Sequence, residues 1–348
     1  MKSKILFWFS NLLLGLILGF ILGISLIQAT EIQMLTMLIS FLVSVFLQII
    51  IHESGHAIGG ACSGYQFLSF RILSWQFQRQ PNGKSVITRQ SVVGTLGQCL
   101  MIPPIFVNRG SFPYRRYAAG GIIANLIASL MALLFIRLNF YLLAPVVLVG
   151  LYFAGINWLP TTFSDGKALQ LMRREPNLIW YYYVQLAVNA ETAFGKTYAE
   201  LPHNFFEPLP KSVPPNVLTD WYQLLQVGLA INQFNWEKAQ TSLSILEQRD
   251  KLLVLPLRLD VEKRSLLVLM IQNSNDPKVN LLLSRVQKHR DFHQEYSLQA
   301  AIALFKAKDL NKARSTIKAG YKASQKIANL GERRMTFELL TWLDKHSE

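Results

Sequence analysis

Long apolar runs separated by short polar links dominate the first half of the chain. Four of them are long enough to cross a bilayer, for which about 20 residues suffice: roughly Ile5–Ile27, Gln33–Ala57, Tyr117–Ile136 and Phe140–Leu159. The first run exceeds the apolar core of most signal peptides, so we expect a retained anchor, with cleavage after Ala29 as the alternative. The pattern predicts a helical membrane region of about four spans.

The hydrophobic period changes between the second and third spans. Phe67–Arg79 and Ser85–Arg89 are β-prone, and Pro81–Gly83 between them contains the Asn-Gly pair typical of tight hairpin turns. We therefore expect a small β-hairpin insert over Phe67–Arg89; an ordinary surface loop is the alternative. Gly94–Gly97 and Pro103–Pro104 then indicate a loop that re-enters the membrane edge.

The second half of the chain is more polar and helical in pattern. Ala239, Val279 and Ala313 occupy similar positions in three related segments, 40 and then 34 residues apart. This spacing is close to the roughly 34-residue repeat of tetratricopeptide helix pairs; a generic helical bundle is the alternative. The predicted fold is thus a membrane α-helical region followed by a soluble all-α helical-repeat domain.

Composition and charge agree with a membrane protein that has a soluble part. The 348 residues are 51% hydrophobic and 16% charged, with a net charge of +14. Lys and Arg collect on one side of the predicted spans, which predicts a multi-pass protein of the cell membrane with both termini in the cytoplasm. No basic aromatic stripe or nucleic-acid motif accompanies the charge, so we expect no nucleic-acid partner. The two cysteines, Cys62 and Cys99, lack zinc-finger spacing and are expected to be free thiols.

The candidate chemistry begins at the end of the second span. His52 and His56 lie four residues apart, so on a helix they share one face and can bind one zinc ion. Glu53 lies beside them, where it can remove a proton from a water molecule held by the metal. Ionisable groups at membrane depth are costly and usually functional. The alternative is a chance match on a buried helix.

A catalytic zinc ion normally takes three protein ligands and leaves a fourth position for water. Asp165 is the candidate third ligand, because it follows the last predicted span on the same membrane side as His52 and His56. Gly166 would permit a tight turn after Asp165, and Pro160 would interrupt the preceding helix. The alternative is an ordinary aspartate at a helix end.

These motifs resemble the site-2 protease family of intramembrane zinc metalloproteases. That family pairs a His-Glu-x-x-His helix with a downstream Asn-x-x-Pro-x-x-x-x-Asp-Gly motif, which residues 157–166 match at every fixed position. The resemblance covers about Gln33–Lys167. It implies zinc as the cofactor, His52, His56 and Asp165 as its ligands, and Glu53 as the catalytic base.

A middle motif of the family, small residues followed by asparagine, corresponds to Ala119–Asn125. This chain has Gly120–Gly121 where the family usually has Gly-Pro. Asn125 or Asn157 could donate a hydrogen bond to the tetrahedral oxyanion or hold the substrate backbone. For Asn157, capping of a broken helix is the alternative.

The expected organisation has four parts: a transmembrane anchor in residues 1–30, an intramembrane metalloprotease core in 31–175, a linker region in 176–216, and a cytoplasmic tetratricopeptide-like domain in 217–348. The expected activity is hydrolysis of peptide bonds in transmembrane or signal-peptide-like segments near the cytoplasmic face of the lipid bilayer. The C-terminal repeats are expected to bind a cytoplasmic protein partner. The main alternative is a catalytically silent membrane scaffold; a transporter fits poorly, because no inverted repeat is evident.

Overall fold

The computed structural model describes residues 29–89, 95–161, 164–210, 213–289 and 291–347, together with scattered positions between 12 and 27. The expected span Ile5–Ile27 lies largely outside these residues. The chain divides into two compact units. Unit 1 is Met1–Phe77, Arg89–Ser91 and Thr95–Leu186, and unit 2 is Gln78–Thr88, Val92–Gly94 and Ala187–Glu348.

Three long helices form the membrane-type part of unit 1: α1 (Glu31–Ala61), α2 (Tyr114–Leu134) and α3 (Phe140–Trp158). Each is long and apolar enough to cross a membrane, with mean hydropathies of 2.5, 1.8 and 1.8. Thr30 begins α1 with a capping box, in which its side chain and that of Gln33 bond each other's backbone N–H groups. The second, third and fourth predicted spans are therefore confirmed as helices.

Four strands form one sheet: β1 (Gln66–Ile72), β2 (Trp75–Arg79), β3 (Ser85–Arg89) and β4 (Gly97–Ile102), in the order β3-β2-β1-β4. The predicted hairpin corresponds to β2 and β3, but the insert is larger than a hairpin. Residues 97–102, expected in a re-entrant loop, instead form β4. They pair antiparallel with β1, and this pairing satisfies their backbone groups.

Two helices follow α3: α4 (Asp165–Arg174) and α5 (Leu178–Ala193). The second of them, α5, lies in the predicted linker region. The boundary between the two units falls inside α5, between Leu186 and Ala187. Residues 176–216, expected as a linker region, thus include a regular helix.

Unit 2 contains seven further α-helices among the described residues: α6 (Val217–Asn232), α7 (Trp236–Glu247), α8 (Leu255–Asn273), α9 (Pro277–Val286), α10 (Tyr296–Ala301), α11 (Leu310–Ser324) and α12 (Leu330–Lys345). The three repeat positions, Ala239, Val279 and Ala313, are all fully buried in its core. The three positions thus share full burial, and the tetratricopeptide-like repeat stays a prediction.

The segment from Thr192 to Glu207 packs against the helices of unit 2. The Tyr198 ring lies against Gly228 of α6, and the Tyr198 N–H contacts the Met335 sulfur of α12 at 3.4 Å. Farther along, the Glu207 carbonyl accepts a hydrogen bond from the Tyr222 hydroxyl of α6 at 2.6 Å. This segment is therefore part of the helical unit and not a free tether.

The contact between this segment and α12 depends on a glycine. A Cβ atom on Gly331 would overlap the Lys196 carbonyl oxygen. Alanine normally favours a helix over glycine, but here we expect Gly331→Ala to destabilise unit 2 by about 1–3 kcal/mol through overpacking. The measurement is denaturant unfolding of the purified chain followed by tryptophan fluorescence. Gly110→Ala, where only ordinary contact is added, is the control; equal stability of the two variants would contradict the expectation.

Candidate metal centre

Three side chains from two helices meet at the end of α1. His52 and His56 lie one turn apart on α1, and Asp165 is the first residue of α4. The two Nε2 atoms are 3.3 Å apart. Oδ2 of Asp165 lies 3.1 Å from Nε2 of His52 and 3.4 Å from Nε2 of His56. The three predicted ligand atoms therefore form a nearly equilateral triangle.

The size of this triangle fits one face of a tetrahedral zinc site. Ligands at about 2.0–2.1 Å from a tetrahedral zinc ion lie about 3.3 Å from one another. Moreover, Oδ2 of Asp165 is buried and has no hydrogen-bond donor among the described residues. A buried carboxylate oxygen without a donor is costly unless a cation compensates it. Within the described part of the chain, the three residues thus satisfy both the spacing and the charge requirement of a metal site.

A chain of buried hydrogen bonds fixes the orientation of the His52 ring. The Gln48 amide donates to the Val146 carbonyl of α3 at 3.1 Å, which turns its own oxygen towards Asn125. The Asn125 amide donates to that oxygen at 2.7 Å and to the Gln48 carbonyl at 3.1 Å. Its remaining atom, Oδ1, faces Nδ1 of His52 at 2.8 Å and can only accept. Nδ1 of His52 therefore carries the proton, and Nε2 is left as a metal ligand.

His56 is oriented in the same way by a backbone group. Its Nδ1 lies 2.8 Å from the Tyr117 carbonyl oxygen, which can only accept a hydrogen bond. In the neutral imidazole, Nε2 of His56 is then also unprotonated and available as a ligand. Three lone-pair atoms can lie this close together only if a metal ion or a proton lies between them.

Glycines let α1 and α2 come together at the site. Gly55 and Gly120 are in mutual contact, because a Cβ atom on either would overlap the carbonyl oxygen of the other. A Cβ atom on Gly121 would lie 2.6 Å from the His52 ring. Gly120 thus allows the close approach of α1 and α2, and Gly121 provides the space for the His52 ring.

Asp165 is positioned by the start of α4. Ser164 caps this helix by accepting a hydrogen bond from the Lys167 N–H, and a carboxylate is favoured in the first turn of a helix. Burial raises the pKa of Asp165, but when a proton and not a metal ion occupies the triangle, the positive charge that this proton gives the imidazoles holds that pKa well below its usual range. Gly166 lies within α4 against the Trp158 carbonyl, so it permits close packing and not the tight turn that was expected.

Glu53 lies beside the triangle and outside the three-ligand group. Its carboxylate faces the backbone of Cys99 of β4. A Cβ atom on Gly97 would lie 2.5 Å from Oε1 of Glu53. Strand β4 therefore forms one wall of the position that Glu53 occupies.

The two predicted asparagines have different surroundings. Asn125 is fully buried and its amide is used by His52 and Gln48. The Asn157 amide donates to the Phe153 carbonyl of its own helix at 2.9 Å, one turn earlier. Neither amide is free to donate to a substrate in this arrangement. A direct catalytic role for either residue stays a prediction.

Three groups that orient or contact the site residues were not predicted from the sequence: Gln48, Gly97 and the Tyr117 carbonyl. For Gln48 a signal existed, because Ser44, Gln48, His52 and His56 recur every four residues on a mainly apolar helix. For Gly97 and Tyr117 no such signal existed, since their contacts with α1 depend on tertiary packing.

No family model matches the chain, and neither the curated proteins nor the solved structures contain a match.

The hydrogen-bond chain that begins at Gln48 generates a prediction. Gln48→Leu removes the acceptor that orients Asn125, so His52 loses its fixed tautomer, and we expect metal affinity to fall about 10- to 100-fold. The measurement is zinc competition against a chromophoric chelator. Ser44→Ala, one turn earlier, is the control, because the Ser44 hydroxyl is buried and has no hydrogen-bond partner among the described residues. Equal affinity in both variants would remove Gln48 from the metal centre.

Proposed function

We propose that this chain is an intramembrane zinc endopeptidase of the site-2 protease type. The observation that carries the proposal is the triangle formed by the Nε2 atoms of His52 and His56 and Oδ2 of Asp165, with sides of 3.1–3.4 Å. It lies at one end of a helix that is long and apolar enough to span a membrane. A soluble metalloprotease does not need its ligands at the end of a membrane-type helix, whereas an enzyme that cleaves a membrane-embedded peptide needs them there.

The chemistry is divided among the chain's own residues. His52, His56 and Asp165 would hold a zinc ion, which would supply Lewis acidity for the peptide carbonyl and for the attacking water. Glu53 accepts the proton of the attacking water and delivers it to the leaving amine. Glu53 is suited to both steps because it is buried beside the ligands without being one of them.

The substrate is a transmembrane or signal-peptide-like segment. Its peptide bonds are hidden while it is helical, so it unwinds before attack, and an extended strand is well held by pairing with a sheet edge. Strand β3 of the hairpin lies at one edge of the sheet and β4 at the other, and β4 is the strand that contacts Glu53. We therefore assign the substrate-pairing edge to β4.

The C-terminal repeats are the proposed site for a cytoplasmic protein partner. Part of their surface is already used, because Thr192–Glu207 covers faces of α6 and α12. A partner would bind the remaining surface or displace this segment. A catalytically silent scaffold is the rival function, and the complete set of ligands and base argues against it.

The membrane orientation is proposed from charge. The link between α2 and α3 has Arg137 as its one charge. On the other side, the link after α1 and the helix α4 after α3 carry Arg71, Arg79, Lys84, Arg89, Arg109, Lys167, Arg173 and Arg174. Reporter fusions after Lys211 should therefore read as cytoplasmic, and fusions near Thr30 as external. This places the metal centre at the cytoplasmic end of α1. An external reading for a C-terminal fusion would overturn the orientation.

The proposed activity is tested by two matched variants of the full chain. Glu53→Gln should keep about one zinc ion per chain but lose nearly all cleavage of a model transmembrane peptide, because an amide cannot accept the water's proton. His56→Ala should lose the metal together with the activity. Metal content is measured by elemental analysis and cleavage by mass spectrometry. Substantial turnover by Glu53→Gln, or equal zinc in His56→Ala and the unmodified chain, would contradict the proposal.

A further inference from the structure

Arg71 is a buried cation for which the catalytic scheme has no use. It lies on β1, its side chain is 2% exposed, and it forms no ion pair among the described residues. Burying a guanidinium group without a carboxylate partner is costly. Such a cost is tolerated where the charge or its hydrogen bonds serve a specific arrangement.

The hydrogen bonds of Arg71 converge on the segment that leads into β4. Nη1 donates to the Leu73 carbonyl at 2.8 Å and to the Thr95 carbonyl at 3.5 Å. Nη2 donates to the Thr95 hydroxyl and to the Gly97 carbonyl, the latter at 3.4 Å. The Leu73 N–H in turn donates to the Leu96 carbonyl at 2.7 Å. One guanidinium group thus joins the end of β1 to Thr95–Gly97.

The same segment contacts the catalytic base on its other side. Gly97 is in van der Waals contact with the Glu53 carboxylate, and the Cys99 backbone faces the same carboxylate. The positive charge of Arg71 also attracts the negative charge of Glu53 across this wall. The position of Glu53 therefore depends on the position of Thr95–Gly97, which Arg71 holds.

We propose that Arg71 is a positioning residue for the catalytic base: it fixes Thr95–Gly97 so that Gly97 and Cys99 hold the Glu53 carboxylate beside the metal ligands. This inference rests on the proposed function only in giving Glu53 the role of base. That Arg71 fixes the position of Thr95–Gly97 and β4 does not depend on that role.

The chain's two cysteines provide a readout that needs no substrate. Cys62 is exposed and Cys99 is buried in β4, and burial raises the pKa of the Cys99 thiol to about 12. In the full-length protein in detergent, a maleimide reagent should label Cys62 rapidly and Cys99 slowly. In Arg71→Met the wall loosens, and we expect Cys99 to be labelled at least about 10-fold faster, since exchange and labelling follow the population of open states.

Arg71→Lys and Arg89→Met complete the set. Lysine keeps the charge but cannot reproduce the forked geometry, so Arg71→Lys should leave Cys99 nearly as reactive as Arg71→Met does. Arg89 is an exposed cation of the same sheet that lies 4.3 Å over the Trp75 ring, and Arg89→Met should leave Cys99 protected. The proposal that Arg71 fixes Thr95–Gly97 would be overturned by either of two results. One is slow labelling of Cys99 in Arg71→Met, and the other is labelling of Cys99 in Arg71→Lys as slow as in the unmodified chain.

Kinetics test the catalytic part. With a model transmembrane peptide, Arg71→Met should keep its zinc, lower kcat by at least about tenfold and change KM by less than about threefold, because the base is displaced while substrate binding is retained. Loss of zinc in parallel with activity, or an unchanged kcat, would overturn the positioning role. If the unmodified chain binds no zinc and cuts no peptide, the proposed function fails; faster Cys99 labelling in Arg71→Met would still support the clamp on the β4 wall.

Discussion

The close contact between α1 and α2 is the constraint on which the site depends. Gly55 and Gly120 allow backbone to touch backbone, and the side chains on either side of this contact are then brought together. Asn125 of α2 reaches the His52 ring, the Tyr117 carbonyl of α2 reaches the His56 ring, and Gly121 leaves room for the His52 ring to lie against it. Larger residues at these positions would separate the helices and remove the partners that orient both imidazoles. In a membrane, where burial of apolar surface between helices adds little, such small-residue contacts and interhelical hydrogen bonds are the main source of specific packing.

The polar network beside this contact orients the His52 ring by hydrogen bonds alone. Gln48, Asn125 and His52 are buried, and each has one orientation in which all its hydrogen bonds are satisfied. Reversing any amide would bring two donors or two acceptors together, and in a medium of low dielectric constant this is costly. The Val146 carbonyl of α3 therefore indirectly determines which nitrogen of His52 faces Asp165. All three membrane-type helices contribute to the orientation of a single ligand.

Much of this arrangement could be predicted from the chain, and the remainder depends on packing. The helical period and apolar length located the three long apolar helices of the described residues to within a few residues, because both signals are local. The spacing of His52 and His56 predicted a shared helix face, and the later Asp165 joined them as expected. The β4 strand was missed because Gly97–Ile102 has no alternating pattern of its own and becomes a strand only by pairing with β1. The roles of Gly97 and Gly166 were missed or misjudged for a similar reason, since the atoms they contact belong to distant residues or to the end of another helix.

The charges of unit 1 give a further reason for a cation at the triangle. With both imidazoles neutral, Glu53, Asp165 and Arg71 leave one net negative charge in a largely buried region. Protonating both histidines would reverse this charge, but two Nε2–H groups cannot face each other at 3.3 Å. A single shared proton would bond only some of the three facing atoms, and Oδ2 of Asp165 has no good donor. A divalent cation at the centre of the triangle satisfies all three facing atoms at once and balances the negative charge of the carboxylates. The spacing of the three atoms and the buried charge therefore both favour a divalent cation.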